Sequence, residues 1–530
     1  MAADTSVRHA ANVCLQCRAR KKKCDKRLPY CGFCMRKGLE CDYQYPVARS
    51  TVGATVCAWD AQAIRLTPFA RSSLLLMDTV SSATPSHLVL SRSITPKSAS
   101  SLDATIYLQV QRIIDATGQS VAFTVQRYLE GIYNFVPVLS RPLLESFFLA
   151  PRATPTPDLS ILLLALCLIT YHASLVTHGP DQGSEIEPET LYLATKSLFA
   201  QVQSTSRPSI WSVQAGLLLA IYEYARGTPE QACISIANCA RAAQLAINCA
   251  DNKTTAEERR TWWCIAICER LIYCETPDPN GLLTSSILCT RDMQLPPEPE
   301  VDGLPPSPPS SKADSPIGTP AETSIGWFSS AAQASQLLDQ VLHATKTQLT
   351  TLDPSYAHVH LDQLDTLDQT LQEFLARILD QRQERWNRYC MPNAISIRAL
   401  FILHTYTLYL TQQKPESDLS TNPSISASWH HRSHAALETL TKIVTETTYT
   451  HLRTPLRGMD ALPPLSAYNV REALGYVRDG MRSSPSSAGS GAAQLRRLQE
   501  AQQAELKLGA SLERFRRRWH VSNGGSLGWE

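Results

Sequence analysis

Cys14-Leu-Gln-Cys17-Arg-Ala-Arg-Lys-Lys-Lys-Cys24-Asp-Lys-Arg-Leu-Pro-Tyr-Cys31-Gly-Phe-Cys34-Met-Arg-Lys-Gly-Leu-Glu-Cys41 decides how the rest of the chain is read. Its thiols are spaced C-x2-C-x6-C-x6-C-x2-C-x6-C: one half-motif at Cys14, Cys17 and Cys24 returns at Cys31, Cys34 and Cys41. A C-x2-C turn can bring two sulfurs to about 2.3 Å from one zinc ion. The third thiol of each half closes after about two helical turns. Each half then supplies three sulfurs where a tetrahedron needs four, so six thiols cannot fill two separate sites. Sharing two of them solves the arithmetic and implies a two-zinc cluster with bridging thiolates. The stretch also carries nine Lys or Arg against two acids. Thiolates on zinc leave an excess negative charge that nearby cations offset. Arg18, Arg20, Lys21, Lys22, Lys23, Lys26 and Arg27 exceed that need, and the surplus suits phosphate. With so few apolar residues, the module is expected to be unfolded without metal.

Other readings of the thiols fit less well. RING- and LIM-type zinc modules use eight ligands, usually with histidine, and lack the lysine run. A zinc deaminase needs an H-x-E upstream of its C-x-x-C, and none precedes either pair. A disulfide knot needs an oxidising compartment. Met1 to Asn12 is polar, without the apolar core of a secretory signal, which predicts a reducing one. The remaining ten of 16 cysteines, scattered from Cys57 to Cys390, read as small hydrophobes in a core.

A chain of 530 residues has room for two or more domains. Its formal net charge of +2 hides a basic N-terminus and a nearly neutral interior. Residues 1–13 form a polar arm, 14–43 the cysteine module and 44–101 a linker of Ser, Thr, Ala and Pro without heptads. Helical texture runs over 102–295. Ile210, Val213, Leu217, Ala220 and Tyr224 share one face, and Thr255 with Glu258 forms a capping box ahead of Trp263, Ile267, Leu271 and Cys274. The apolar run Leu159 to Val176 carries Thr170, His172 and Ser174 and reads as a buried helix, so no membrane partner is expected.

Residues 296–325, rich in Pro and Ser, are expected to be disordered. Helices resume over 326–480, where Leu364, Leu367, Leu371, Phe374 and Ile378 suggest a bundle helix rather than a coiled coil. Residues 481–530 hold a flexible spacer and a terminal amphipathic helix. In it Leu498, Leu508, Leu512, Phe515 and Trp519 face one side, and the basic end Arg514 to Arg518 is expected to be solvated. His430, His431 and His434 form the one dense histidine group and read as surface. There is no Gly-rich phosphate loop or G-x-S-x-G elbow, so the chain is read as a non-enzyme.

Residues 14–43 resemble the fungal zinc binuclear cluster (Zn2Cys6) DNA-binding domain. The resemblance rests on the six cysteines, the run Arg18-Ala-Arg-Lys-Lys-Lys-Cys-Asp25, Pro29, Gly38 and Tyr43. It implies that Cys14, Cys17, Cys24 and Cys31 hold one zinc and Cys14, Cys31, Cys34 and Cys41 the other. It further implies that Arg20 and Lys21 read bases of a C-G-G triplet in the major groove, while Arg18, Lys22, Lys23 and Lys26 hold phosphates. Pro29 matches a loop proline that joins the two halves. The segments Arg127-Tyr-Leu-Glu-Gly-Ile-Tyr-Asn-Phe-Val-Pro137, Glu257-Glu-Arg-Arg-Thr-Trp-Trp263 and Asp292-Met-Gln-Leu-Pro296 resemble the family's regulatory region.

The expected fold is a small zinc binuclear cluster domain, two short helices around two Zn2+, followed by a large all-α regulatory domain with disordered linkers. The expected function is a nuclear, sequence-specific regulator of RNA polymerase II genes that binds double-stranded DNA at C-G-G sites. Its protein partners are the transcription machinery or co-regulators. By family analogy it is a pathway-specific activator, of a secondary-metabolite gene cluster. A repressor, a ligand-responsive regulator of nutrient utilisation, and an enzyme with an appended zinc module are the competing readings. Without heptads after the cluster, either a homodimer forms through the helical region or the protein binds DNA as a monomer.

Overall fold

The computed structural model describes residues 13–14, 17, 20–27, 31–37, 97–149, 155–172, 186–246, 255–276, 283, 295–296, 298–299, 326–347, 357–380, 386–412, 423–483 and 491–520. The chain divides into a unit of residues 1–88 and a unit of residues 89–530. Among the described residues the regular structure is helical, with no strand ladder.

In the first unit, helix α1 (Gly32–Lys37) starts directly after Cys31. Its N-terminus is capped from the other half of the motif: the Gly32 N–H donates to Asp25 Oδ1 at 2.9 Å and Oδ2 at 3.1 Å. A Cβ at position 32 would lie 2.7 Å from Asp25 Oδ2, so a larger residue would displace the Asp25 carboxylate from this seat. Of the other short helix expected here, Cys17 is helical, and most of the rest lies outside the described residues.

The second unit opens with α2 (Lys97–Ala116), so the linker boundary expected at 101 falls inside a helix. There follow α3 (Val121–Glu130), α4 (Arg141–Leu144), α5 (Pro157–Thr170), α6 (Pro188–Thr205), α7 (Ile210–Ala225), α8 (Pro229–Ala246) and α9 (Ala256–Glu275). Helix α5 carries the long apolar run and is buried on every side, packed against α2, α3, α6 and α7. The cap of α7 is reciprocal: Ser209 Oγ accepts the Ser212 N–H at 3.2 Å, and Ser212 Oγ accepts the Ser209 N–H at 2.9 Å. Its expected apolar stripe is part of a helix buried all round from Ser212 to Ala225, because α5, α6, α8 and α9 enclose it. The capping box of α9 forms as expected, with Thr255 Oγ1 accepting the Glu258 N–H at 3.2 Å and Glu258 Oε2 accepting the Thr255 N–H at 2.7 Å.

Beyond the Pro/Ser-rich segment come α10 (Trp327–Leu342), α11 (Ala357–Asp380), α12 (Trp386–Gln412), α13 (Pro423–Arg453), α14 (Leu465–Ser483) and α15 (Gly491–Trp519). The start of the segment expected to be disordered is ordered. Glu298 accepts the Ser329 N–H at 2.8 Å and the Phe328 N–H at 3.3 Å, and Pro296 O accepts the Ser329 hydroxyl at 3.0 Å. Gly326, the N-cap, supplies no side chain, so a distant carboxylate satisfies the first N–H groups of α10. Most of 300–325 lies outside the described residues. In α11, Leu364, Leu367, Leu371, Phe374 and Ile378 are all buried, and the helix packs on α12 and α10 as a bundle member.

One described helix, Arg388–Thr411, is long and apolar enough to cross a membrane, and 67% of that window is buried within the protein. At its middle Arg398 pairs with Glu275 of α9 at 2.7 Å and Glu472 of α14 at 3.3 Å. Arg471 pairs with the same two carboxylates at 2.6 and 3.1 Å. Two cations and two anions thus join α9, α12 and α14 across the Pro/Ser-rich segment.

A second buried network corrects the reading of α15. Leu508, Leu512, Phe515 and Trp519 are buried as expected, but Leu498 is 45% exposed, because only the second half of α15 lies on the bundle. The basic end is only partly solvated: Arg517 is exposed, but Arg518 is fully buried, with its guanidinium 4.0 Å from the Trp519 ring centroid. It donates to Asp460 and, at 2.7 Å, to the carbonyl of Ile169 at the C-terminal end of α5. Asp460 also takes Arg127 of α3, whose Nε donates at 3.0 Å.

Candidate metal centre and nucleic-acid interface

The sulfurs of Cys14, Cys17, Cys24 and Cys31 all lie within 4.8 Å of one another. The individual separations are 3.7 Å for Cys14–Cys31, 3.6 Å for Cys17–Cys31 and 3.9 Å for Cys14–Cys24. Zinc–sulfur bonds of about 2.3 Å give a tetrahedral edge of about 3.8 Å. The thiols therefore already stand at the spacing of a zinc site. The sulfur of Cys34 lies 3.7 Å from that of Cys14. Cys41 lies outside the described residues.

The two C-x2-C turns are local copies of each other. Cys17 N–H donates to Cys14 Sγ at 3.4 Å, and Cys34 N–H donates to Cys31 Sγ at 3.4 Å. Burial works against ionising Cys31, yet the Cys34 amide and the neighbouring sulfurs outweigh it and hold that thiol down to about 6. Burial and the surrounding thiols push Cys17 the other way. One thiolate amid protonated neighbours is the condition from which a thiol cluster releases protons to a metal. Cys14, Cys17, Cys31 and Cys34 are buried and Cys24 is half-buried, so the donor set is soft, enclosed and matched to Zn2+.

The basic run leaves this cluster by a specific turn. Lys22 N–H donates to Cys17 O at 2.9 Å, and Lys21 adopts φ 50°, the left-handed conformation of a helix C-terminal cap. The half-motifs are 17 residues apart, and the residue 17 beyond Lys21 is Gly38. The second half thus has the residue such a turn favours, while the first has a lysine. Arg20, Lys21, Lys22 and Lys23 are exposed, and Lys26, also left-handed at φ 58°, is half-buried. Arg27 approaches Asp25 at 3.8 Å. The Gly32 N–H holds the Asp25 carboxyl below the usual carboxylate range. Arg18 and Pro29 lie outside the described residues.

Sequence reading missed the part Asp25 plays, which is to tie the first half of the motif to the helix of the second. Its signal was an acid in a stretch otherwise almost free of them. No other group of three or more metal-capable side chains occurs among the described residues. In the histidine trio, His430 and His434 meet with ring centroids 4.6 Å apart, His434 Nδ1 lies 3.5 Å from the Tyr476 hydroxyl, and His431 is exposed. Cys167, Cys239, Cys264 and Cys268 are buried core residues, as expected, and burial raises all four thiols.

Two of the three segments that resembled a regulatory region touch. Arg260 Nε donates to Pro137 O at 3.2 Å, and Gln214 links Val138 O at 3.1 Å to Glu257 at 2.8 Å. Comparison with known proteins agrees with both parts of the chain. The fungal Zn(2)-Cys(6) binuclear cluster domain matches residues 12–50, and the fungal specific transcription factor domain matches residues 125–376. A stretch of 118 residues is 30% identical to transcription factor BOA15 of Botryotinia fuckeliana (strain B05.10). That stretch covers 22% of this chain and 62% of the relative's length. No solved structure matches the chain.

Proposed function

Because this chain belongs to the fungal Zn(2)-Cys(6) transcription factors, we propose that it regulates transcription by binding double-stranded DNA through a two-zinc cluster at its N-terminal end. The observation that carries this reading is the group of four sulfurs within 4.8 Å, with an exposed basic stretch, Arg20 to Lys23, between the second and third of them. In the proposed assignment Cys14, Cys17, Cys24 and Cys31 hold one zinc, and Cys14, Cys31, Cys34 and Cys41 the other. Zinc supplies rigidity here: it fixes two turns that hold so few apolar residues that nothing else would order them.

Arg20 and Lys21 are assigned to the base edges of a C-G-G triplet, where cationic donors meet guanine O6 and N7. Arg18, Lys22, Lys23 and Lys26 are assigned to phosphates, which set register and salt dependence. The exposure of Arg20 to Lys23 supports contact with DNA by this run, and the left-handed turn at Lys21 supports a separate role for that residue. The site of action is the nucleus, the helical unit carries the contacts to co-regulators and to a second copy, and the sign is activation. The target is a secondary-metabolite gene cluster. These last assignments rest on the family.

Substituting Cys14→Ala in the full chain tests the centre. Zinc content should fall from two ions per chain, and binding to C-G-G DNA should be lost with it. C-G-G binding retained by the variant would overturn the assignment.

A further inference from the structure

A cavity of about 70 Å³ lies among α11, α12, α13 and α14. That is several times the roughly 10–15 Å³ needed to seat one water molecule. Its walls are largely apolar, with Leu375, Ile397, Ile443 and Val444 among them, and no carboxylate, lysine or arginine lines it. Polar groups interrupt the apolar lining: the hydroxyls of Thr447, Thr450 and Ser466, the His451 ring and two buried amides, Asn393, 9% exposed, and Asn469, 3% exposed. The Oδ1 atom of each amide has no hydrogen-bond partner within the protein. Asn469 is held in that orientation, because its Nδ2 donates to the Ala394 carbonyl at 2.9 Å, and a flipped amide would set oxygen against oxygen.

An unpartnered acceptor in an enclosed site carries a desolvation cost of about 1–3 kcal/mol, so two on the wall of one cavity call for a donor. Several waters could reach these oxygens, but the exposed lining is mostly hydrocarbon, which suits a ligand with an apolar body better than water alone. A charged ligand would meet no counter-charge. Burial disfavours protonation of His451, which also lines the cavity and whose Nδ1 is 3.0 Å from the Ser511 hydroxyl. We propose that this cavity binds a small neutral molecule with an apolar body and a hydroxyl or N–H donor, held by the Asn393 and Asn469 amide oxygens. The site is independent of the zinc cluster and of DNA binding, and its test involves neither.

Phenol and toluene are suitable probes, because they share a ring and differ in the donor. Titrated into the full-length, zinc-loaded chain and followed by calorimetry and thermal shift, phenol should bind saturably. Asn393→Leu should weaken phenol about tenfold, the loss of one hydrogen bond, and leave toluene unchanged or tighter. Val444→Phe, which fills the space, should abolish both. Benzoate should not bind. Absence of saturable phenol binding would overturn the proposal, and so would an equal effect of Asn393→Leu on phenol and toluene. If Val444→Phe does not fold, as judged by circular dichroism, the Asn393→Leu comparison decides.

Discussion

Lys21 shows how much one backbone angle can carry. A left-handed φ costs a residue with a Cβ roughly 1–2 kcal/mol relative to its preferred region. The second half-motif has Gly38 at the corresponding place, and the first keeps a lysine. Stability alone would favour glycine, so the lysine side chain is retained for what it contacts. Two comparisons test this. Lys21→Gly should resist unfolding by denaturant better than Lys21→Ala by about 1 kcal/mol, since the two differ chiefly in the left-handed penalty; equal midpoints would remove the strain argument. On DNA, Lys21→Ala should relax preference for C-G-G over random sequence by about 1–3 kcal/mol, whereas Lys26→Ala should mainly lower the salt slope of binding. Equal loss on specific and random DNA from both would take base reading away from Lys21.

At the scale of elements, the caps and periods were legible because they are local. Thr255 and Glu258 lie three residues apart and formed the box their spacing implies. The cap of α10 was not legible, since Glu298 reaches Ser329 from 31 positions away in the chain. The end of α15 misled for the same reason. Arg514 to Arg518 look like a solvated basic run, yet Arg518 is buried on Asp460 together with Arg127, 333 positions before that aspartate. A lone buried carboxylate between two guanidiniums is sensitive to the loss of its charge. Asp460→Asn should destabilise the second unit by about 3–5 kcal/mol, because two buried cations lose their counter-charge. Chemical denaturation measures the cost, and limited proteolysis should show earlier cleavage in α15. A change within about 0.5 kcal/mol would mean that the three groups are not coupled as described.

For the molecule as a whole, buried histidine links stability to pH. Burial, then the nearby Arg514 guanidinium, lowers His451 to about 4 from an ordinary value of 6.5. Below 6.5 the unfolded chain takes up a proton that the folded chain refuses, so unfolding is favoured as pH falls. The stability from neutral His451 is complete above about 6.5 and is lost progressively down to about 4, up to about 3 kcal/mol from this residue. His451→Gln, which keeps a polar group beside Ser511, should flatten the dependence of the denaturation midpoint over that window. A variant with the same slope as the parent would assign the dependence elsewhere. The apolar helices α5 and α12 belong to this scale too, since composition alone does not separate a core helix from a membrane span. Burial of α5 on every side and the ion network around Arg398 do.

The zinc centre, the basic run beside it, the helical class and the capping box of α9 were legible in the sequence. Those features are set by spacing over fewer than about thirty residues, where bond geometry leaves few alternatives. Tertiary structure alone decided which charges are buried, which helices are enclosed rather than half-exposed, and where a cavity with two unpartnered amide oxygens remains. Each of those depends on side chains brought together from distant parts of the chain, and no local period records such a meeting. The opening thiol repeat belongs to both kinds. Its spacing announced the metal, and the fold added the Asp25 cap and the left-handed turn that sets Lys21 apart from its neighbours.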